Sequence, residues 1–329
     1  MAKAFAIHPL LMSIFKSPKP SSMIELINIS KSFKNTSAVN NISIKVNDHE
    51  TLVLLGTSGC GKTTTLKMIN RLIEPDSGEI LIDGKNIANE KPEILRKNIG
   101  FVMQNIGLFP HYTVAENIAV GPKLLGWNSK RIKQRTEELI EKLHLPEDCL
   151  KMYPHELSGG QQQRVGLARA LITDTSVLLM DEPFGALDNV TRSSIHAEFK
   201  ALDELKRKTI IMVTHDIHEA FELGDRICLM DKGKIVQIGT AKELLYKPAN
   251  DFVKNFLESF RLSLEFKTAT LNDIKMYFPE HIKYKLSNDM SVWDALQFFS
   301  NEKMQNNESG DFEVITKAFH SYQKTQGHD

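Results

Sequence analysis

The segment Gly56-Thr57-Ser58-Gly59-Cys60-Gly61-Lys62-Thr63-Thr64 gathers glycines, hydroxyls and one lysine between an apolar run, Leu52–Leu55, and a helical pattern, Leu66–Leu72. It satisfies G-x-x-x-x-G-K-[ST] in the strand-to-helix setting that pattern needs. Glycines let backbone N–H groups turn inward around an anion, and the helix N-terminus adds a favourable dipole. Lys62 is spaced to reach the outer phosphates of a bound polyphosphate, and the Thr63 hydroxyl to ligate Mg2+. Cys60 fills a variable position of the loop.

A second polar pair follows the continuous apolar run Val177–Met180, which reads as a strand buried on both faces. It ends in Asp181-Glu182, and acids at the C-terminal end of such a strand lie in the crevice where α/β proteins bind ligands. Asp181 is suited to hold Mg2+ through its water shell, and Glu182 to polarise an attacking water. Beside a phosphate loop, the pair points to Mg2+-dependent hydrolysis of a nucleoside triphosphate. His215 and Gln104 end two further apolar strands, Ile210–Val213 and Ile99–Val102. A lone histidine there is more often structural, and only parallel-sheet geometry promotes either residue to the site.

Ser158-Gly159-Gly160-Gln161 is a third polar cluster. Ser158 and Gln161 have the S-x-x-Q spacing of a capping box opening a helix through Val165–Ile172. Paired glycines and a free hydroxyl at a helix start also make an anion cradle. Two phosphate-seeking sites in one chain make sense if two chains face head to tail, each nucleotide lying between the phosphate loop of one and the Ser158 turn of the other.

These residues need a scaffold that brings strand ends together. The pattern predicts strands at Ile24–Ile27, Ile42–Val46, Leu52–Leu55, Ile80–Ile82, Ile99–Val102, Val177–Met180, Thr209–Val213, Ile227–Met230 and Ile235–Ile238. Asp76-Ser77-Gly78, Asp83-Gly84 and Asp231-Lys232-Gly233 mark turns. Strands alternating with helices imply an α/β core: a mixed, mainly parallel sheet with an antiparallel β subdomain. Residues 113–172 read as an inserted helical subdomain. Residues 1–22 read as a disordered extension, dispensable or preceding the true start at Met23. The core domain then runs from 23 to 258, and 259–329 is an appendage.

In the 329 residues, 41 Lys and Arg balance 41 Asp and Glu, which gives no global attraction to nucleic acid. Cys60, Cys149 and Cys228 show no paired spacing, so neither a disulfide framework nor a zinc site is expected. No apolar run approaches 18 residues, so any membrane role comes through a partner.

Taken in order, these motifs resemble the nucleotide-binding subunit of an ABC transporter, a P-loop NTPase. They are Walker A (Gly56–Thr63), the Q-loop Gln104, LSGGQ (Leu157–Gln161), Walker B (Val177–Glu182), the D-loop Ala186-Leu187-Asp188, and His215 within Val213-Thr214-His215-Asp216. The resemblance covers roughly residues 24–256. It implies a homodimer, or pseudo-dimer, that closes on ATP and reopens after hydrolysis. Glu182, His215 and Gln104 would be catalytic, and Thr63, Gln104 and Asp181 would attend Mg2+. The loop from Gly56 through Thr57, Ser58, Gly59, Cys60, Gly61 and Lys62 to Thr64 would hold ATP in cis. Ser158, Gly159, Gly160, Gln161 and Asp188 would act in trans. Phe33 would stack on adenine in place of the usual tyrosine; an ordinary core phenylalanine is the alternative. The implied partners are a membrane permease and a periplasmic or lipid-anchored binding protein, with the chain peripheral at the cytoplasmic membrane face.

Phe101–Val114, Pro122–Trp127 and Lys67–Pro75 look like the quaternary-amine importers for glycine betaine, carnitine and choline. Phe109, Pro110, His111 and Tyr112 form an aromatic loop suited to receive a permease helix. An amino-acid or other small-molecule importer is the alternative, and a soluble ABC ATPase acting on ribosomes or DNA a remote one. Leu286–Leu296 resembles the opening of a regulatory CBS module, but the tail is too short for the usual pair. It is therefore expected to be a degenerate or unrelated helical segment.

Overall fold

The computed structural model describes residues 22–185, 187, 189–279, 286–306 and 310–326, so the proposed extension lies almost wholly outside it. In chain order, β1 (Ser22–Phe33) and β2 (Thr36–Asn47) form a hairpin, and β3 (Thr51–Gly56) leads into α1 (Lys62–Ile69). Next come β4 (Ser77–Ile82), β5 (Lys85–Asn86), α2 (Pro92–Lys97) and β6 (Ile99–Val102). Helices α3 (Val114–Leu124), α4 (Ser129–Lys142) and α5 (Gly159–Leu171) precede β7 (Val177–Asp181). Then follow α6 (Asn189–Ala201), β8 (Thr209–Val213), α7 (Ile217–Leu223), β9 (Arg226–Asp231) and β10 (Lys234–Gly239). The chain continues through α8 (Ala241–Tyr246), α9 (Asp251–Glu258), α10 (Arg261–Thr268), α11 (Leu271–Ile274), α12 (Val292–Asn306) and α13 (Gly310–Thr325).

One sheet is ordered β10-β9-β3-β8-β7-β6, with β9 through β6 mutually parallel and β10 antiparallel at one edge. The other is antiparallel, ordered β2-β1-β4-β5. This is the mixed sheet with antiparallel and helical subdomains that the sequence predicts, and every predicted strand is present. β1 and β2 run longer than expected because irregular pairing lets the hairpin continue past polar residues. The short β5 was not expected; Asp83 and Gly84 at positive φ turn the chain back onto β4 there.

Side chains of the central strands alternate between two hydrophobic layers, as period-two geometry requires. Val53, Leu55, Leu178, Met180, Ile210 and Met212 pack with α3 through α10. Leu52, Leu54, Val177, Leu179, Ile211 and Val213 pack with α1 and the antiparallel sheet. Fully burying each such side chain stabilises by roughly 1.5–3 kcal/mol. Leu264 of α10 still belongs to the first layer, whereas Leu271, Ile274, Val292, Ile315 and Phe319 form a separate cluster. Lys242 on α8 anchors that cluster through Asp273, at 2.7 and 2.6 Å from its two carboxylate oxygens.

Candidate functional site

Parallel register brings the strand ends together: Leu54 pairs with Val213, Asp181 with Val213, and Val102 with Met180. The turns leaving β3, β6, β7 and β8 therefore open on one edge. A cleft of about 560 Å³ there is lined by Ser58 through Thr64, Gln104, Glu182 and His215.

The phosphate loop is bent by glycines at positive φ. At Gly61, the left-handed N-cap of α1, an added Cβ would lie 2.4 Å from the Ala38 carbonyl oxygen. At Gly56 it would meet the Met230 carbonyl oxygen at 2.1 Å, so no side chain fits either position. Lys62 is buried, and its ammonium donates to the carbonyls of Gly56 (2.8 Å) and Thr57 (2.9 Å). Thr57 Oγ1 donates to Asp231 at 3.2 Å. Sequence reasoning missed Asp231; only the pairing of β9 beside β3 brings it to the loop.

Thr63 Oγ1 donates to Asp181 Oδ1 at 2.8 Å. Burial raises the Asp181 carboxyl above its ordinary value, against the lowering effect of Thr63 and of the nearby Lys67 and Lys62. A buried carboxylate beside a hydroxyl supplies hard oxygen donors of the kind Mg2+ takes, the other positions going to phosphate and water. The residues fit that ion. Glu182 has φ 46°, a strained conformation for a bulky residue, held where its N–H donates to Val213 O at 2.9 Å. Its Oε2 accepts from Gln104 Nε2 at 2.9 Å and lies 3.2 Å from His215 Nδ1. Glutamine, histidine and carboxylate, far apart in sequence, thus meet at one oxygen.

Phe33 is 46% exposed, which removes it from the core, and Lys31 lies over its ring at 5.6 Å. Ser158 caps α5 as a full capping box: its Oγ accepts from Gln161 N–H at 3.3 Å, and Gln161 Oε1 accepts from Ser158 N–H at 2.9 Å. The Ser158–Gln161 turn does not line the cleft of its own chain. A Cβ added at Gly159 would meet nothing within 4 Å, so the face of the turn is open. Ala186 and Asp188 lie outside the described residues. Their neighbour Leu187 is buried, and its carbonyl accepts from Arg192 Nη2 at 2.9 Å.

Asn117, at the start of the helical subdomain, is fully buried and holds the aromatic loop. It accepts from Phe109 N–H at 2.7 Å and donates to the carbonyls of Phe109 (3.1 Å), Tyr112 (3.1 Å) and Thr113 (3.0 Å). Phe109 and Tyr112 remain exposed. Cys60, Cys149 and Cys228 are free and buried. Among the described residues no helix is long and apolar enough to cross a membrane.

Residues 39–185 match the family model described as ABC transporter. The chain is 52% identical over 241 residues to the glycine betaine/carnitine/choline transport ATP-binding protein OpuCA of Bacillus subtilis. That match covers 73% of this chain but 63% of the relative, less than two thirds of its length. The glycine betaine uptake system ATP-binding protein YehX of Escherichia coli is 46% identical over 280 residues, covering 84% of this chain and 90% of YehX. The ATP-binding cassette MJ0796, solved as a dimer in a post-hydrolysis state with ADP and Pi, superposes with a TM-score of 0.60 at 33% identity. It covers 66% of this chain and 98% of its own. With a relative matched along nine tenths of its length and a solved cassette along nearly all of its own, the chain belongs to the family of ABC transporter ATP-binding proteins.

Proposed function

We propose that two copies of this chain clasp Mg-ATP between them, and that hydrolysis energises uptake of a quaternary-amine osmoprotectant. Glycine betaine, choline and carnitine, the solutes named for the relatives, are the candidates. A separate membrane permease carries the solute, a binding protein delivers it, and the chain sits peripherally at the cytoplasmic face. The exposed Phe109–Tyr112 loop, pinned from behind by Asn117, suits docking of a permease helix.

The observation that carries the hydrolytic reading is the convergence of Gln104 and His215 on Glu182 Oε2, beside the Thr63–Asp181 contact. Thr63, Asp181 and Gln104 would hold Mg2+, which supplies positive charge against the phosphate oxygens. Lys62 exchanges its loop carbonyls for phosphate oxygens. Glu182 takes a proton from water as the water oxygen bonds to the γ-phosphorus and the bond to the β–γ bridging oxygen breaks, releasing ADP. His215 orients Glu182, and Gln104 reports the state of the site to the permease. Ser158, Gly159, Gly160 and Gln161 of the second copy close over the γ-phosphate, with Asp188 linking the two sites, and Phe33 stacks on the adenine. The open face of the Ser158 turn, away from its own chain's cleft, supports closure in trans.

The test is Glu182→Gln, which keeps the contacts' shape and removes the base. Hydrolysis should fall at least about a hundredfold, and an ATP-bound dimer should accumulate in size-exclusion chromatography. Brisk turnover by that variant would remove Glu182 from its role. For the substrate, uptake of each labelled quaternary amine by cells carrying the permease, with and without this chain, decides.

A further inference from the structure

Glu219 occupies the third position of α7, from which a glutamate ordinarily reaches back to the N–H of the capping residue. Here that donor is engaged elsewhere: Asp216 N–H donates to Thr214 Oγ1 at 3.0 Å, while Asp216 Oδ1 accepts from Glu219 N–H at 3.2 Å. The Glu219 carboxyl turns inward instead and is 2% exposed. His196 of α6, 4% exposed, faces it with Nε2 4.0 Å from Glu219 Oε2. Neither His196 Nε2 nor Glu219 Oε1 makes a hydrogen bond to any described residue. The other ring nitrogen, Nδ1, lies 3.4 Å from Glu222 Oε2.

The pair stands between the two halves of the hydrolytic site. Asp216, the N-cap of α7, directly follows His215. α6 grips that loop through Arg192, whose Nη1 donates to Asp216 at 2.8 Å, and its His196 packs edge-on against Phe184 at 4.9 Å. Phe184 follows Glu182 by two residues. Any separation of α6 from α7 therefore moves His215 relative to Glu182.

Around Glu219 itself acidic neighbours outnumber cations. Asp216 and Glu182 face it, against Arg192 on α6, while Glu222, on the far side of His196, is met by Lys267 on α10 at 3.9 Å. Lys200 bears on Glu222 from α6, and His218 on α7 faces Lys267. The Thr214 hydroxyl bears on Glu219 as a neutral partner. A further buried negative charge at Glu219 would be poorly compensated.

We propose that Glu219 keeps its proton at neutral pH and, with His196 packed against it, forms a positioning pair that holds α7 docked on α6 so that His215 stays on Glu182. The inference rests on the hydrolytic reading above. Burial, reinforced by the neighbouring Asp216, pushes Glu219 up to about 8. Loss of the proton on going alkaline leaves like charges packed between the helices, and His215 is displaced.

The experiment is the pH profile of ATP hydrolysis for the wild type and Glu219→Gln, whose amide keeps the neutral state at every pH. If only the form with Glu219 protonated is competent, wild-type turnover at pH 9, one unit above the midpoint, should be about tenfold below its neutral value. Glu219→Gln should keep its neutral rate and change less than about twofold over the same range. Superimposable profiles would overturn the proposal while leaving hydrolysis itself intact. A wild type without Mg2+-dependent hydrolysis would instead remove the functional reading. Should Glu219→Gln fail to fold, the ring resonances of His196 in the wild type, assigned against His196→Gln, decide. Those resonances should shift as the facing Glu219 carboxyl loses its proton near pH 8, and resonances that stay fixed between about pH 6.5 and 9.5 would overturn the proposal.

Discussion

Glu182 and Glu219 show how differently two buried-edge carboxylates are made. Glu182 follows a strand, and its backbone is forced to φ 46° so that its side chain faces the cleft; Glu219 follows a helix cap, and its side chain is driven inward because Thr214 has taken its usual partner. The inward carboxyl has a cost that depends on pH. Its folded-state value is raised, so the stability it leaves intact is present below the ordinary carboxyl range and is lost as pH rises toward about 8. Phe33 presents the opposite case, a large apolar ring left half in solvent. Base stacking on an aromatic ring is worth about 1–3 kcal/mol, so Phe33→Ala should weaken ATP binding roughly tenfold in a fluorescent-nucleotide titration. The melting temperature should barely move, and unchanged affinity would return Phe33 to an incidental surface position. The types and spacings of Gly56–Thr64 and Asp181-Glu182 were legible because each lies in one continuous segment. Asp231 and the pair His196–Glu219 were not, since their neighbours come from elements that only the folded sheet sets side by side.

At the scale of elements, legibility followed burial. β7 and β8 are buried along their whole length and stand close to their predicted bounds; β1 and β2, half-exposed and irregularly paired, ran past theirs. The capping box of α5 was readable as a four-residue pattern, whereas the ion pairs that hold α4 and α5 against α6 were not. Buried Glu204, beyond the end of α6, takes Arg135 at 3.1 Å and Lys142 at 2.6 Å, and Arg164 reaches Glu198 at 3.0 Å. The aromatic loop before α3 depends on a single buried amide. Asn117→Ala should strip its backbone partners and cost about 2 kcal/mol of stability. ATP affinity in the isolated protein should stay near wild type while permease-stimulated hydrolysis drops. Normal stimulation by that variant would show that the loop's shape does not matter to docking.

For the whole molecule, the phosphate loop and the Ser158 turn, proposed as cradle and lid, do not meet within one chain's cleft. Lys62→Ala and Ser158→Ala should each be inactive alone, yet a mixed dimer has one site built wholly from intact parts. Random pairing in an equal mixture should restore about a quarter of wild-type turnover. Absence of recovery, with both variants folded by their melting curves, would count against closure in trans; the melts matter because losing the cap costs about 1 kcal/mol by itself. The alternation of the central strands between two hydrophobic layers has a genetic corollary. Val53 and Leu54 are consecutive, yet one supports the helical layer and the other the phosphate loop's own helix and the antiparallel sheet. Truncating one should loosen communication with the transporter's membrane half, and truncating its neighbour should slacken the grip on nucleotide. Defects adjacent in the gene would then fall into separate phenotypic classes, sorted by odd and even codons along a single strand.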